Sequence, residues 1–263
     1  MENLLLREEK ERIAILTLND PKKLNALSEE MLSLLEDALE EISQNKNIKV
    51  VILRSSGKAF CAGHDLKQMQ LARQSADKGK SYYNELFKRC GKIMMSIKKM
   101  PQPVIASVNG IATAAGCQLV ASCDLAIAST DASFGVNGVN IGLFCSTPMV
   151  ALSRNIGKKK TFEMLVTGDF LDAKHAKEEG LVNKIVSAND LEEETFAIAK
   201  KIQIKLSAAV KIGKEAFYIQ NEMSIENAYD FTAKVMAENM LYQDTEEGIN
   251  AFIEKRPPKW NEI

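Results

Sequence analysis

The chain has 263 residues and a mass of 29.1 kDa, enough for one large domain with a sizeable core. Its 34 Lys+Arg and 35 Asp+Glu give a formal net charge of −1, which argues against a nucleic-acid binder. Hydrophobic and charged fractions of 46% and 26% exclude a disordered or fibrous chain. The opening residues 1–10 are acidic and lack a long apolar core. They read as neither a secretory signal nor a transit peptide, so a cytoplasmic location is expected. Residues 13–18 are β-branched and apolar and predict a strand, closed by Asn19-Asp20-Pro21. Ser28 can cap a helix whose Met31, Leu34, Leu35, Ala38 and Ile42 share one face. A second strand is expected over 50–53, then a long helix over 82–100 stopped by Pro101 and Pro103. Strands follow over 104–108, 125–128 and 181–186. After Asp190 the pattern is helical throughout, over 191–206, 208–220, 225–242 and 245–255. This order predicts an α/β body, residues 1–190, with a helical region, residues 191–263, in one folding unit.

Two uncharged runs, 104–123 and 132–153, are long enough to cross a bilayer. They are too rich in Gly, Asn, Ser, Thr and Gln to do so, and no membrane span is expected. Cysteines stand at 61, 90, 117, 123 and 145, and the only histidines are His64 and His175. No CxxC pair or Cys/His cluster appears, which gives no support to a metal site or a disulfide framework.

Three segments spend small residues where a core prefers large ones: 58–67, 109–118 and 134–142. In the first two, a strand runs through a tight turn into an expected helix. Unpaired N–H groups at a helix start favour developing negative charge, and two converging from separate loops would form an oxyanion hole. Tight packing of helix on strand is served equally well by the same residues.

The sequence resembles the crotonase, or enoyl-CoA hydratase/isomerase, superfamily over nearly its whole length. The resemblance rests on Asn19-Asp20-Pro21 with Asn25-Ala26-Leu27-Ser28, on the loop 60–67 and on the run 103–124. It continues through Thr167-Gly168, Ala173, Ala176 and Gly180-Leu181-Val182 to Phe252 and Lys255-Arg256-Pro257-Pro258-Lys259-Trp260. It implies a crotonase-like α/β spiral of ββα units with a C-terminal helical trimerisation region. The substrate it implies is an acyl-CoA or enoyl-CoA thioester, with coenzyme A entering as part of the substrate and no separate cofactor or metal. The oxyanion donors would be the backbone N–H groups of His64 and Ala115. Lys67 and the strip Lys23, Leu24 and Ala26 would face coenzyme A, with Ala62, Asp65, Leu66 and Cys145 along the same site. A homotrimer or hexamer is implied, with Lys259 and Trp260 near a neighbour's site.

The two glutamates that family hydratases use fall at Gln118 and Gly138 here. Gln118 cannot take a proton and Gly138 offers no side chain, so efficient hydration is not expected, and glutamate at both positions is expected to restore it. The His64 imidazole could titrate near neutrality, or its backbone alone matters. Asp65 is expected to cap the next helix, while Asp124 and His175 read as structural. Cys145 could be a nucleophile, but buried free cysteine is usually inert. An enzyme acting through an enolate and a non-catalytic acyl-CoA-binding or scaffold protein both remain open.

Overall fold

The computed structural model describes residues 3–261; Met1, Glu2, Glu262 and Ile263 lie outside them. Strand β1 (Leu5–Lys10) pairs antiparallel with β2 (Ile13–Leu18), which is buried along its full length. Helix α1 (Glu29–Gln44) starts where the Ser28 hydroxyl accepts from the Met31 N–H, 3.2 Å away. There follow β3 (Val50–Ser55), β4 (Ala59–Cys61), α2 (Leu66–Ala72), α3 (Lys80–Lys99), β5 (Val104–Val108), β6 (Ile111–Thr113) and α4 (Ala115–Ser122). The chain continues through β7 (Leu125–Ser129), β8 (Ser133–Gly135), α5 (Pro148–Leu152), α6 (Lys158–Thr167), β9 (Phe170–Asp172), α7 (Ala173–Glu178) and β10 (Lys184–Val186). Helices α8 (Leu191–Gln203), α9 (Ser207–Gln220), α10 (Ile225–Met240) and α11 (Gln243–Ile253) complete it.

The strands form two sheets, one in the order β1-β2-β3-β5-β7-β10 and a smaller one in the order β4-β6-β8-β9. Each of β3, β5 and β7 is followed at once by a short strand of the second sheet, so the chain steps from sheet to sheet as it advances. From β2 to β10 the large sheet is parallel, as are β4, β6 and β8. This is the spiral of ββα units. The segments expected to be turns after β3 and β5 in fact contain β4 and β6. Strands of only three residues, Ala59–Cys61 and Ile111–Thr113, are too short for an alternating pattern to be read from the sequence. The expected strand over 181–186 begins only at Lys184. Asn183 ends the ladder there by exchanging hydrogen bonds with Ala126, through its backbone N–H and its side-chain oxygen, both at 2.8 Å.

The helical region is tied to the body by its first two members. Helix α8 packs Leu191 and Ala199, with Phe196, Ile198 and Ile202 at the margin, against Ile13, Ile15, Val50, Ile52, Ile105 and Ile127 of the large sheet. Helix α9 inserts Lys214, whose ammonium donates to the carbonyls of Ile97 and Gln102 at 2.8 Å and to Asp124 Oδ2 at 2.7 Å. Tyr218 Oη donates to the other Asp124 oxygen at 2.8 Å. A buried ion pair needs such additional partners to offset its desolvation, and Asp124 is structural as its position suggested. Helix α10 buries none of its residues, and Met236 and Met240 of α10, Leu241 after it, and Phe252 and Ile253 of α11 face solvent. Among the described residues no helix is long and apolar enough to cross a membrane.

Candidate active site

The first loop, between β4 and α2, is held by the turn before α1. Asn25 is buried, and its side-chain amide donates to the carbonyls of Ser56 and Ala59, both at 2.8 Å. The Asn25 side-chain oxygen accepts from the Asp20 N–H at 2.8 Å. This fixes the Lys23–Ala26 strip beside the loop, where Ala62 N–H donates to the Leu24 carbonyl at 3.0 Å and Leu27 N–H to that of Gly63 at 2.7 Å. Asp65 caps α2 as expected, accepting from the backbone N–H groups of Lys67 and Gln68 at 2.9 and 3.3 Å. Leu66 and Lys67 stand exposed at the rim, and the Lys23 ammonium lies 3.7 Å from the Asp65 carboxylate.

The second loop, between β6 and α4, lies directly on the first. A Cβ at Gly63 would come within 2.9 Å of the Ala114 Cβ and 3.3 Å of the Ala115 nitrogen. A Cβ at Gly116 would come within 2.2 Å of the Cys61 carbonyl oxygen. Only glycine permits both approaches, and Gly63 also sits at φ +88°, where an L side chain is strained. Ala114 itself adopts φ 50° and ψ −119°, a conformation that costs about 1–3 kcal/mol in a residue with a Cβ. Strain of this kind persists where the surroundings impose it, and here it turns the chain into the first residue of α4. Among the described residues the backbone N–H groups of His64 and Ala115 meet no acceptor. The two donors named from the sequence therefore stand on loops in van der Waals contact.

The side chains expected around them are uneven in use. The His64 ring packs edge-on to Phe87, with centroids 5.7 Å apart. Burial pushes its pKa below the ordinary histidine value, and the nearby Leu27 backbone offsets only part of this. The imidazole is thus neutral at pH 7. Gln118 is 4% exposed, and its Oε1 has no hydrogen-bond partner. Cys145 is buried, and burial raises its thiol above the ordinary value. That environment disfavours the thiolate a nucleophile needs. His175 is exposed on α7, with Nδ1 2.9 Å from the Asp172 carboxylate.

The third loop departs from expectation. A Cβ at Gly138 would stand 2.3 Å from the Leu143 carbonyl oxygen and 2.8 Å from Cys145 Sγ. The position is therefore closed, and glutamate cannot simply be restored there. The loop folds back on itself, with Leu143 N–H donating to the Gly138 carbonyl at 2.9 Å. It is tied to the second loop by Thr113 Oγ1, 2.7 Å from the Asn137 side-chain oxygen, and by Ala114 N–H donating to the Gly135 carbonyl at 2.9 Å. Neither the Asn25 brace nor the Thr113–Asn137 contact was read from the sequence. Asn25 sits at φ 54°, a turn conformation that asparagine tolerates, and the Asn in Asp-Pro-Lys-Lys-Leu-Asn was the available signal.

The enoyl-CoA hydratase/isomerase family model matches residues 8–263. The chain belongs to that family. It is 45% identical over 246 residues to human enoyl-CoA hydratase domain-containing protein 3, covering 94% of this chain and 80% of the relative. A solved structure of enoyl-CoA hydratase from Mycobacterium smegmatis superposes with a TM-score of 0.94 at 51% identity, over 98% of this chain and 99% of that one. The solved human domain-containing protein 3 gives 0.93 at 43% identity, over 98% and 100%. These likenesses bear out the crotonase-like α/β fold and the enzyme family, and the family implies an acyl-CoA thioester as substrate. The cytoplasmic expectation is overturned, because the mouse, human and rat relatives carry mitochondrial in their names.

Proposed function

We propose that this chain binds the thioester carbonyl of an acyl-CoA between the N–H groups of His64 and Ala115 and stabilises the enolate formed there. The support is the contact between the two loops, which leaves both donors without a protein acceptor. Hydrogen bonds aimed at a charge that develops during reaction act in the transition state more than in the ground state. Lys23 and Lys67 at the rim suit the coenzyme A phosphates as point charges, with Leu24, Ala26, Ala62, Asp65 and Leu66 along the way. Cys145 borders the acyl end. Gln118 holds a polar group without removing its proton, and Gly138 contributes backbone only, so fast syn-hydration of a simple enoyl-CoA is not the activity.

Acyl-CoA is expected to bind in the micromolar range, roughly 8 kcal/mol, with Lys67→Glu weakening it. Calorimetry finding no binding at millimolar concentration overturns the reading. The closed Gly138 position favours a second reading, a protein that binds acyl-CoA without turning it over. Mass spectrometry of coenzyme A species after incubation with a panel of acyl- and enoyl-CoAs separates the two, since any turnover excludes a pure binder.

The division at residue 190 and a trimer or hexamer belong to the same proposal. Leu241 and Phe252 are each 85% exposed, and apolar faces of that kind mark interfaces. Trp260 folds back against Gly248, and Lys259 N–H donates to Glu247 at 2.7 Å, so both pack on α11 of their own chain, and their approach to a neighbour's site is part of this proposal. Light scattering that returns a stable monomer still binding acyl-CoA excludes this assembly.

A further inference from the structure

A groove of about 540 Å³ lies between α1, the end of α3 and the start of α9, and none of its lining residues belongs to the site described above. Its size suits a small molecule, since such sites commonly span about 300–1,000 Å³. Lys92 and Lys99 of α3 and Lys211 of α9 line it, together with Glu36 and Glu40 of α1. Glu36 is spent on Arg89, 2.9 Å away. Among the described residues the three ammonium groups and the Glu40 carboxylate meet no partner, so three positive charges face one free negative charge. A lysine near a helix end ordinarily answers its exposed carbonyls, but here those carbonyls are taken. The Gln102 amide donates to the carbonyls of Ile42, Asn45 and Ile48 at 2.8, 3.3 and 3.3 Å, closing the end of α1. Lys214 takes those of Ile97 and Gln102 at the end of α3. The hydroxyls in the groove can only accept from a ligand. That of Ser43 already donates to the Glu40 carbonyl at 2.7 Å and that of Ser96 to the Ile93 carbonyl at 2.8 Å. Buried Leu39, Ile93 and Met100 complete the lining beside Pro101.

We propose that this groove binds a nucleoside monophosphate, with its phosphate on the lysines, its ribose hydroxyls on Ser43, Ser96 and Glu40, and its base against Met100 and Pro101. A phosphomonoester carries about −1.5 to −2 charges at pH 7, which matches the surplus of lysines over free carboxylate. Lysine takes phosphate as a point charge and needs no fixed fork geometry. The ribose hydroxyls supply the hydrogens that the serine oxygens and the Glu40 carboxylate lack. A flat base covers the apolar part of the lining, where the Met100 thioether is a favourable neighbour for a ring. A fatty acid offers one charge and no further donor, so it leaves the acceptors unserved. Inorganic phosphate leaves the apolar lining in water. Phosphorylated adenosine is also part of coenzyme A, and the test must separate the groove from the thioester site.

Calorimetry of the full-length chain with adenosine 5′-monophosphate, adenosine, ribose 5-phosphate and inorganic phosphate tests this. The nucleotide is expected to bind at least about tenfold more tightly than each of the other three. The double variant Lys99→Glu, Lys211→Glu is expected to lose about tenfold or more of that affinity, while Lys67→Glu, at the rim of the thioester site, keeps it. If the charge reversals disturb the fold, Lys99→Gln with Lys211→Gln carries the same test. No binding of the nucleotide overturns the proposal, as does equal binding of inorganic phosphate, which would reduce the groove to a patch of charge. Ribose 5-phosphate or adenosine binding as tightly as the nucleotide overturns it too. Nucleotide binding lost in Lys67→Glu and unchanged in the double variant would place the ligand in the coenzyme A site and remove the groove, leaving the enolate-binding reading untouched.

Discussion

Glycine does opposite work on the two sides of the site. At Gly63 and Gly116 the missing Cβ lets one loop lie on another, since a Cβ there would stand 3.3 Å from the Ala115 nitrogen and 2.2 Å from the Cys61 carbonyl oxygen respectively. The result is that the loops carrying the His64 and Ala115 N–H groups lie against each other. At Gly138 the missing Cβ lets the chain fold inward, and the Leu143 carbonyl and Cys145 Sγ take the space where a side chain would begin. The same residue type assembles the groups that would hold a carbonyl on one side. On the other it shuts out the carboxylate that would add water.

The strongest way to break this contrast is Gly116→Val. Its Cβ would drive into the Cys61 carbonyl, so backbone must move, and a stability loss of about 3 kcal/mol is expected, together with loss of acyl-CoA binding. Urea unfolding measures the first and calorimetry the second. An unchanged midpoint with intact binding would mean that the loops need not touch.

The next test installs carboxylates on each side separately. Gln118→Glu adds a base at a buried position, and about a tenfold rise in crotonyl-CoA hydration is expected, short of the 10²–10⁴ that a well-placed proton-transfer group supplies. Gly138→Glu is expected to cost about 2 kcal/mol by overpacking and to add nothing to the rate, alone or combined. Coupled spectrophotometric assays of the three variants decide it. A double variant faster than Gln118→Glu alone would show that the third loop opens to accept the side chain.

This asymmetry explains what could be read from the sequence. The order of β-branched runs and turns announced an α/β body, and Ser28 and Asp65 announced their helices by capping chemistry. The first two loops were legible as close approaches because small residues clustered after strands, whereas a donor role for His64 and Ala115 came only from the family resemblance. The closure at Gly138 was not legible, since a glycine reports an absent side chain and not which atoms fill its place. The Lys214 clamp on Asp124 escaped for a related reason: the residues are far apart in sequence and nothing local marks their meeting. Exposed α10 and the buried face of α8 look alike by periodicity, yet only α8 finds a sheet to cover.

Both sides of the site are also held uncharged, which pH can expose. Folding lowers the His64 pKa through burial, so the native ring stays neutral while the unfolded ring takes a proton near pH 6.5. Below that value the unfolded state binds more protons, and stability falls as pH falls, until the native pKa is reached. The slope from this residue is at most about 1.4 kcal/mol per pH unit. Denaturant titrations between pH 7 and pH 5 should show a shallower loss in His64→Phe than in the unaltered protein. Parallel curves would place the ring in water, and not in the lining of the site.

The smallest effect separates strain from packing at the elbow of the second loop. Ala114 holds φ 50° and ψ −119°, and glycine would adopt this without the steric cost. Relief of about 1–3 kcal/mol of strain is set against roughly 0.5–1 kcal/mol of extra chain entropy lost on folding. Ala114→Gly is therefore expected to stabilise the protein by about 1 kcal/mol, read as a raised unfolding midpoint. Acyl-CoA affinity should stay the same, because the Ala115 N–H is a backbone group whose direction the change does not alter. The Ala114 methyl also faces the Gly63 backbone, at 2.9 Å from where a Cβ would stand. A fall in stability would mean that this contact outweighs the strain. Weaker binding without a fall would mean that the methyl, by stiffening the elbow, keeps the Ala115 donor aimed at the ligand.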